Sequence, residues 1–268
     1  MSGPSLRIFS YQPNPRVWKS TIAARLNGVV IELRGDTPEA LADWLWDFEA
    51  RPLTEAERVN RTATHSGRVG FQGVALHKTS AFLDAHPFGT VPAAFSPDGR
   101  IGIFESNSMA RAVARLGEAQ LALYGADAYE ASRIDSFLDA SLVFGRDTQA
   151  YLLSLRGGEV SVAAHAAARA AVEVYLTGIE RALAPSRATL VGNALSIADI
   201  CFACELTMLW LERARSERLA AQALEPVLPR DFGDRYPHAG RHFVRLRAHP
   251  AFAADFEPYL TRIEAMNP

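Results

Sequence analysis

The chain reads as two halves of different build: an α/β half over residues 1–118 and an all-α half over residues 125–268. Three observations predict this. A strand, a helix and a second strand fit into about thirty residues near the start, the length of a βαβ unit. Residues 91–117 carry strand, turn, strand and helix signals in succession. Beyond residue 126 the apolar residues recur at helical spacing and short polar connections separate the segments, as in an antiparallel bundle.

Taken in order, Leu6 to Tyr11 is the first strand, with Ile8 and Phe9 apolar. Asn14 is a helix-capping residue, Pro15 suits the first helical position, and Trp18, Ile22, Ala23 and Leu26 form one apolar face. Asn27-Gly28 ends that helix, and Val29 to Leu33 is the second strand, joined by a right-handed crossover. Val91-Pro92 opens the next strand, Ser96-Pro97-Asp98-Gly99 has turn chemistry, and Glu105-Ser106-Asn107 starts a helix whose free N–H groups can meet an anion. Together these make a thioredoxin-like half-domain. It carries a long insertion over about residues 36–76, for which Thr37-Pro38-Glu39 signals a helix start, followed by Leu41, Trp44, Leu45 and Phe48 at helical spacing. A short helix is expected at Leu53–Glu57, a loop over residues 60–75, and a helix bearing His77 and Lys78.

Residues 117–126 are the linker. The helical half then offers a long segment from Tyr129, with Gly145 the place for a bend, then Val162–Leu183, Leu195–Arg215, Tyr236–Ala248 and Phe252–Met266. Ser196 caps the third of these, with Asp199 reaching back from the third helical position and Leu195 stapling to Ile200.

Composition narrows the function classes. A net charge of -2 argues against a general nucleic-acid binder, and no apolar run reaches a membrane-spanning length. Met1 is not followed by a basic and then apolar leader, so a cytoplasmic location is expected. Cys201 and Cys204 fall on one apolar helix as packing residues. His65, His165, His238, His242 and His249 form no metal spacing, and no metal is expected. Basic residues are almost all arginine; Lys19 and Lys78 are the only lysines.

The run His77-Lys78, His86-Pro87-Phe88-Gly89-Thr90-Val91-Pro92-Ala93, Asp98-Gly99 and Glu105-Ser106 closely resembles the glutathione site of cytosolic glutathione transferases. The nearest flavour is the phi-like class and the transferase-like domain of elongation factor 1B gamma. Thr189-Leu190-Val191-Gly192 before Ser196-Ile197-Ala198-Asp199 resembles a motif of the family's helical domain, so the resemblance touches both halves. It implies a glutathione transferase fold with glutathione as cosubstrate. His77 and Lys78 would hold the glycine carboxylate, and Val91 would pair its backbone with the cysteinyl part, ahead of a cis Pro92. Thr90 stands where the family often has glutamine. Glu105 would take the γ-glutamyl ammonium, and Ser106 its carboxylate. Asn14 occupies the place of the thiolate partner, with Ser10 and Tyr11 as neighbours that could replace it; plain helix capping is the other reading of Asn14.

Trp44, Trp46 and Tyr129 are candidates to wall a substrate pocket, with a satellite core under the insertion as the alternative for the two tryptophans. The activity expected is attack of glutathione thiolate on a small hydrophobic aromatic electrophile, such as the β-aryl ethers cleaved by bacterial lignin etherases. A homodimer, or a heterodimer with a related chain, is expected. The second hypothesis is a non-catalytic interaction module resembling the elongation factor 1B gamma domain.

Overall fold

The computed structural model describes residues 3–59, 65–67, 70–117, 122–157, 159–185 and 187–266. Much of the expected loop at 60–75 and of the expected linker therefore lies outside the described residues. Two compact units divide the chain, Met1–Glu118 and Ala119–Pro268.

The first unit opens with β1 (Leu6–Phe9), α1 (Pro15–Asn27) and β2 (Ile31–Arg34). β1 pairs parallel with β2 in the register Leu6↔Ile31 to Phe9↔Arg34, because the chain must return over the sheet through α1. Asn14 caps α1, Pro15 fills its first position, and the Gly28 N–H closes the helix end on the Ala24 carbonyl. On the other side of β1, β7 (Ala93–Phe95) runs antiparallel and pairs with β8 (Gly102–Ile103), giving the order β2-β1-β7-β8. α4 (Ser106–Leu116) follows and packs on α1. Asn27 adds hydrogen bonds from its Nδ2 to the Val113 and Ala114 carbonyls. This is the thioredoxin-like frame.

The insertion differs from its expected helix. Only a 3-10 turn forms, over Ala40–Asp43, and β3 (Trp44–Trp46) follows at once. The W-L-W triplet is bulky and apolar throughout, and aromatic residues fit a pleated, half-buried surface better than a helix bounded by Pro38 and Pro52. β4 (Arg51–Pro52), α2 (Glu55–Val59), β5 (His65–Ser66) and β6 (Ala75–Lys78) complete a second sheet, of order β4-β3-β6-β5. His77 and Lys78 therefore sit on a strand, opposite Leu45 and Trp46, and not on a helix. The helix starts later, as α3 (Ser80–Ala85), because the Thr79 hydroxyl accepts from the Phe82 N–H as its cap.

The two sheets share one core. Trp46 is 1% exposed, and its indole packs edge-on to Phe9, Phe71 and Phe82 at 5.4, 5.4 and 6.1 Å. Its Nε1–H donates to the Leu41 carbonyl at 2.9 Å, so the one polar atom of the ring is satisfied within the core. At the rim, Glu32 and Glu49 each bond both Arg7 and Arg34 at 2.7–3.1 Å, and Arg7 lies 4.0 Å over the Phe48 ring.

The second unit is helical: α5 (Ala128–Ser154), α6 (Val162–Leu183), α7 (Ile197–Leu209) with a 3-10 continuation over Trp210–Arg215, α8 (Ser216–Ala221), α9 (Phe232–Arg235), α10 (Pro237–Ala248) and α11 (Pro250–Ala265). α5 continues through Gly145. Every residue of α7 is buried, which makes it the axis of the bundle. Its Asp199 carboxylate is wholly buried and accepts from the Leu190 and Ser196 N–H groups, the Ser196 hydroxyl and His242 Nε2, all at 2.8–2.9 Å. Cys201 and Cys204 are buried free thiols. No helix among the described residues is long and apolar enough to cross a membrane.

Glu212, 1% exposed, gathers a second buried set: the Tyr151 hydroxyl at 2.8 Å and the Val227 and Leu228 N–H groups at 2.9 Å. Burial outweighs these donors and pushes its carboxyl up to about 7 from an ordinary 4.5.

Two outcomes are expected. Trp46→Ala should destabilise the first unit by about 3–5 kcal/mol, read as a lower midpoint in urea unfolding; a loss under about 1 kcal/mol would mean the insertion does not share the core. Because the folded state binds a proton at Glu212 more tightly than the unfolded chain, its stabilising contribution is complete below pH 4.5 and disappears as pH rises through about 7. Glu212→Gln should flatten the fall of stability with pH across that window, and an unchanged pH profile would assign the fall to other groups.

Candidate functional site

The candidate site of the first unit is built from four chain segments: the end of β1, the end of β6, the turn before β7 and the head of α4. At the end of β1, Ser10 is fully buried and Tyr11 half-buried against the core aromatics. Ser10 is held by close backbone approach: a Cβ on Gly35 would lie 1.7 Å from the Ser10 carbonyl oxygen, and Gly35 adopts φ 138°. Only glycine fits there. Asn14, 1% exposed, uses Oδ1 to accept from the Arg16 N–H at 3.0 Å and Nδ2 to donate to Ser10 Oγ at 3.1 Å. Its carboxamide is thus a helix cap first, with one N–H of the amide tied to Ser10.

At the end of β6, both His77 and Lys78 are buried, at 7% exposure. Lys78 Nζ donates to the Gly89 carbonyl at 2.7 Å and lies 5.1 Å over the Trp46 ring. The ammonium therefore braces the turn that leads to Thr90 and Val91. His77 Nε2 has no hydrogen-bond partner among the described residues. His86 is fully buried between Phe82 and Phe104, its Nδ1 accepting from the Gly89 N–H at 3.2 Å, and burial holds its pKa below the ordinary imidazole value. Sequence reasoning gives His86 no role of its own, although it heads the run that ends at Ala93; the structure makes it a residue that shapes the site.

Thr90, Val91 and Pro92 are half-buried, the Val91–Pro92 bond is cis, and β7 opens only at Ala93. No hydrogen bond to another described residue occupies the Val91 N–H or carbonyl. At the head of α4, Glu105 is exposed and takes φ 65°, ψ 123°, a backbone conformation unfavourable for a residue with a Cβ. Ser106 and Asn107 are buried in the first turn. Behind them lies Lys19 of α1, 1% exposed, whose Nζ donates to Asn107 Oδ1 at 2.7 Å and to Ser106 Oγ at 3.3 Å. Sequence reasoning misses Lys19. The signal is present: it stands on the same helical stripe as Ile22, Ala23 and Leu26, and a charge in an apolar stripe is a buried charge.

The aromatic candidates separate. Trp46 is core and cannot wall a pocket, because its surface is spent on Phe9, Phe71 and Phe82; this corrects its expected role. Trp44 is half-buried and stacks on Phe9 at 6.0 Å. Tyr129, in the first turn of α5, is 87% exposed. In the second unit a cavity of about 440 Å³ opens between Arg169, Glu173, Arg230 and Arg235. Among the described residues no group of three or more His, Cys, Asp and Glu side chains is placed to hold a metal.

A β2-β1-β7-β8 sheet flanked by α1 and α4, followed by a helical unit with a capping box on its central helix, defines a glutathione transferase fold. Residues 143–250 match the family described as glutathione S-transferase, C-terminal domain. The match over residues 143–250 and the relatives that follow make the chain similar to the cytosolic glutathione transferase superfamily. It is 26% identical to elongation factor 1-gamma 1 of Oryza sativa subsp. japonica over 92% of its own length and 47% of that protein. It is also 26% identical to the glutathione S-transferase-like protein FUS3 of Gibberella moniliformis, over 76% of each. The chain spans about half the length or less of the elongation-factor relatives it matches. A glutathione S-transferase of Methylobacillus flagellatus, solved with glutathione bound, shares the fold at a TM-score of 0.61 and 16% identity, covering 94% of this chain and 98% of its own.

Gly35→Ala should cost the first unit at least about 2 kcal/mol, from strain at positive φ and the overlap with Ser10. Thermal unfolding checks this, and an unchanged midpoint would show that the two strands can part there without loss.

Proposed function

We propose that the chain binds glutathione along its first unit and presents the thiolate to a small hydrophobic, aromatic electrophile. The observation that carries the reading is the head of α4. There a strained Glu105 exposes its carboxylate, and the Ser106 hydroxyl at the N-terminus of the helix supplies a donor for an anion. These complementary charges suit the ammonium and carboxylate of a γ-glutamyl end. The Val91 N–H and carbonyl supply an unpaired strand edge for the cysteinyl part, as in strand addition to a sheet. His77, with its unpartnered Nε2, and Lys78, which fixes the Gly89 carbonyl, supply the end for the glycine carboxylate. The relative solved with glutathione bound supports the same ligand.

For the thiolate, the second N–H of the Asn14 amide, the Ser10 hydroxyl and the N-terminus of α1 are the local donors, with Tyr11 beside them. The electrophile is an aryl ether or aryl halide in this reading, with β-aryl ethers of lignin type the narrowest version. Trp44 is the candidate aromatic residue of the first unit left to meet it. Pairing with a second copy or a related chain belongs to the same reading.

A second reading has its own support. The similarity to elongation factor 1-gamma 1 runs over 92% of the chain, and Asn14 is engaged as a cap. In that case the chain is an interaction module that keeps the site without turning over an electrophile. Turnover of glutathione with a panel of aryl ethers and halides separates the two: any saturable product formation favours the enzyme, and binding without turnover favours the module.

Replacing both Glu105 and Ser106 by alanine removes two charge-assisted contacts worth about 1.5–3 kcal/mol each, so glutathione affinity should fall at least a hundredfold or so. Calorimetry showing unchanged affinity in the double variant would refute the assignment. Asn14→Ala should slow turnover by about 5- to 150-fold and raise the pKa of the bound thiol. If Ser10→Ala or Tyr11→Phe raises that pKa while Asn14→Ala leaves it unmoved, the role belongs to the neighbour.

A further inference from the structure

We propose that Lys19 is a positioning residue that fixes the Ser106 hydroxyl as a hydrogen-bond donor and so selects a carboxylate at the head of α4. The proposal rests on the glutathione reading above and assigns Lys19 to one end of that ligand, the α-carboxylate of the γ-glutamyl group.

An ammonium group has only donors to offer. Because Lys19 Nζ donates to Ser106 Oγ at 3.3 Å, the serine oxygen is the acceptor of that bond and its own hydrogen must point elsewhere. No other described residue hydrogen-bonds to Ser106 Oγ. The hydroxyl is thereby turned into a donor, and it sits in the first turn of α4, where the backbone N–H groups are donors too. A ligand group of acceptors, a carboxylate, fits this arrangement; an ammonium or an alcohol hydrogen does not. The Asn107 Oδ1 contact at 2.7 Å aims the lysine, holding its charge one hydroxyl behind the ligand position.

The choice of residue agrees with this role. The chain uses arginine for nearly all its basic positions and lysine at two, and both lysines are buried in the first unit and donate to oxygen atoms of site segments. A compact ammonium on a flexible stem can enter a slot between two helices and rotate its donors onto two acceptors, where a planar guanidinium fork would not fit. A merely bracing role is the competing account, since Lys19 also links α1 to α4.

Calorimetry on the full chain with three ligands tells these apart: glutathione, an analogue lacking the γ-glutamyl α-carboxylate, and an analogue with the glycine carboxylate amidated. Lys19→Met should weaken glutathione and the amidated analogue by roughly tenfold or more, and the decarboxylated analogue by less than about twofold. Equal losses for all three ligands, or no loss for any, would overturn the proposal. If Lys19→Met does not fold by circular dichroism, Asn107→Ala, which keeps the lysine and removes the acceptor that aims it, must show the same selective loss. A uniform or absent loss in that variant overturns the proposal equally. Wild-type chain that binds none of the three ligands overturns both this proposal and the glutathione reading; wild-type binding with unselective losses overturns this proposal alone.

Discussion

The contact on which the first unit depends is the packing of the Trp46 indole between Phe9 of one sheet and Phe71 and Phe82 of the insertion and α3. It makes two small sheets into one body. Each alone is a four-stranded sheet with strands of two to four residues, too short to bury a core of its own. Once joined, they place the end of β6 beside the turn before β7, and Lys78 reaches from one to the Gly89 carbonyl of the other. The insertion is therefore no appendage. Excising it would open the core and release the segment that carries Thr90 to Pro92.

A second theme is buried charge held by several partners at once. Asp199 receives four hydrogen bonds and Glu212 three, and these carboxylates tie the loops at 188–196 and 222–230 to the bundle. Burial of such groups is tolerated only when donors replace the lost water. In the first unit the buried charged side chains among the described residues include Lys19 and Lys78, whose contacts include hydroxyl, amide and carbonyl oxygens on site segments. Fold-building acids in the helical unit and site-building lysines in the other divide the labour between the two units.

Local chemistry makes much of this legible in the amino-acid sequence. The Asn14-Pro15 start and Gly28 stop of α1, the Asp98-Gly99 turn and the Ser196–Asp199 capping box are short-range signals, each decided within a turn of chain, and each stands where the sequence puts it. The insertion defeats the same reasoning because four apolar residues at helical spacing mask the β propensity of Trp44 and Trp46, and the pairing of β3 with β6 spans about thirty intervening residues. His77 and Lys78 read as helical because the signal for their strand is not local: β6 is held by pairing with β3 on one side and β5 on the other. Lys19 escapes notice in the sequence since its partners, Ser106 and Asn107, are almost ninety residues away in the chain.

The backbone of Glu105 has a consequence for how this chain can change. At φ 65° a side chain is a liability, and glycine would be the more stable residue at that one position. Selection for robustness alone, in a heated culture or a test tube, would therefore erode the head of α4 before it touched the rest of the first unit. Glutamate there places an exposed carboxylate at the head of α4 at a cost in stability that glycine would not carry.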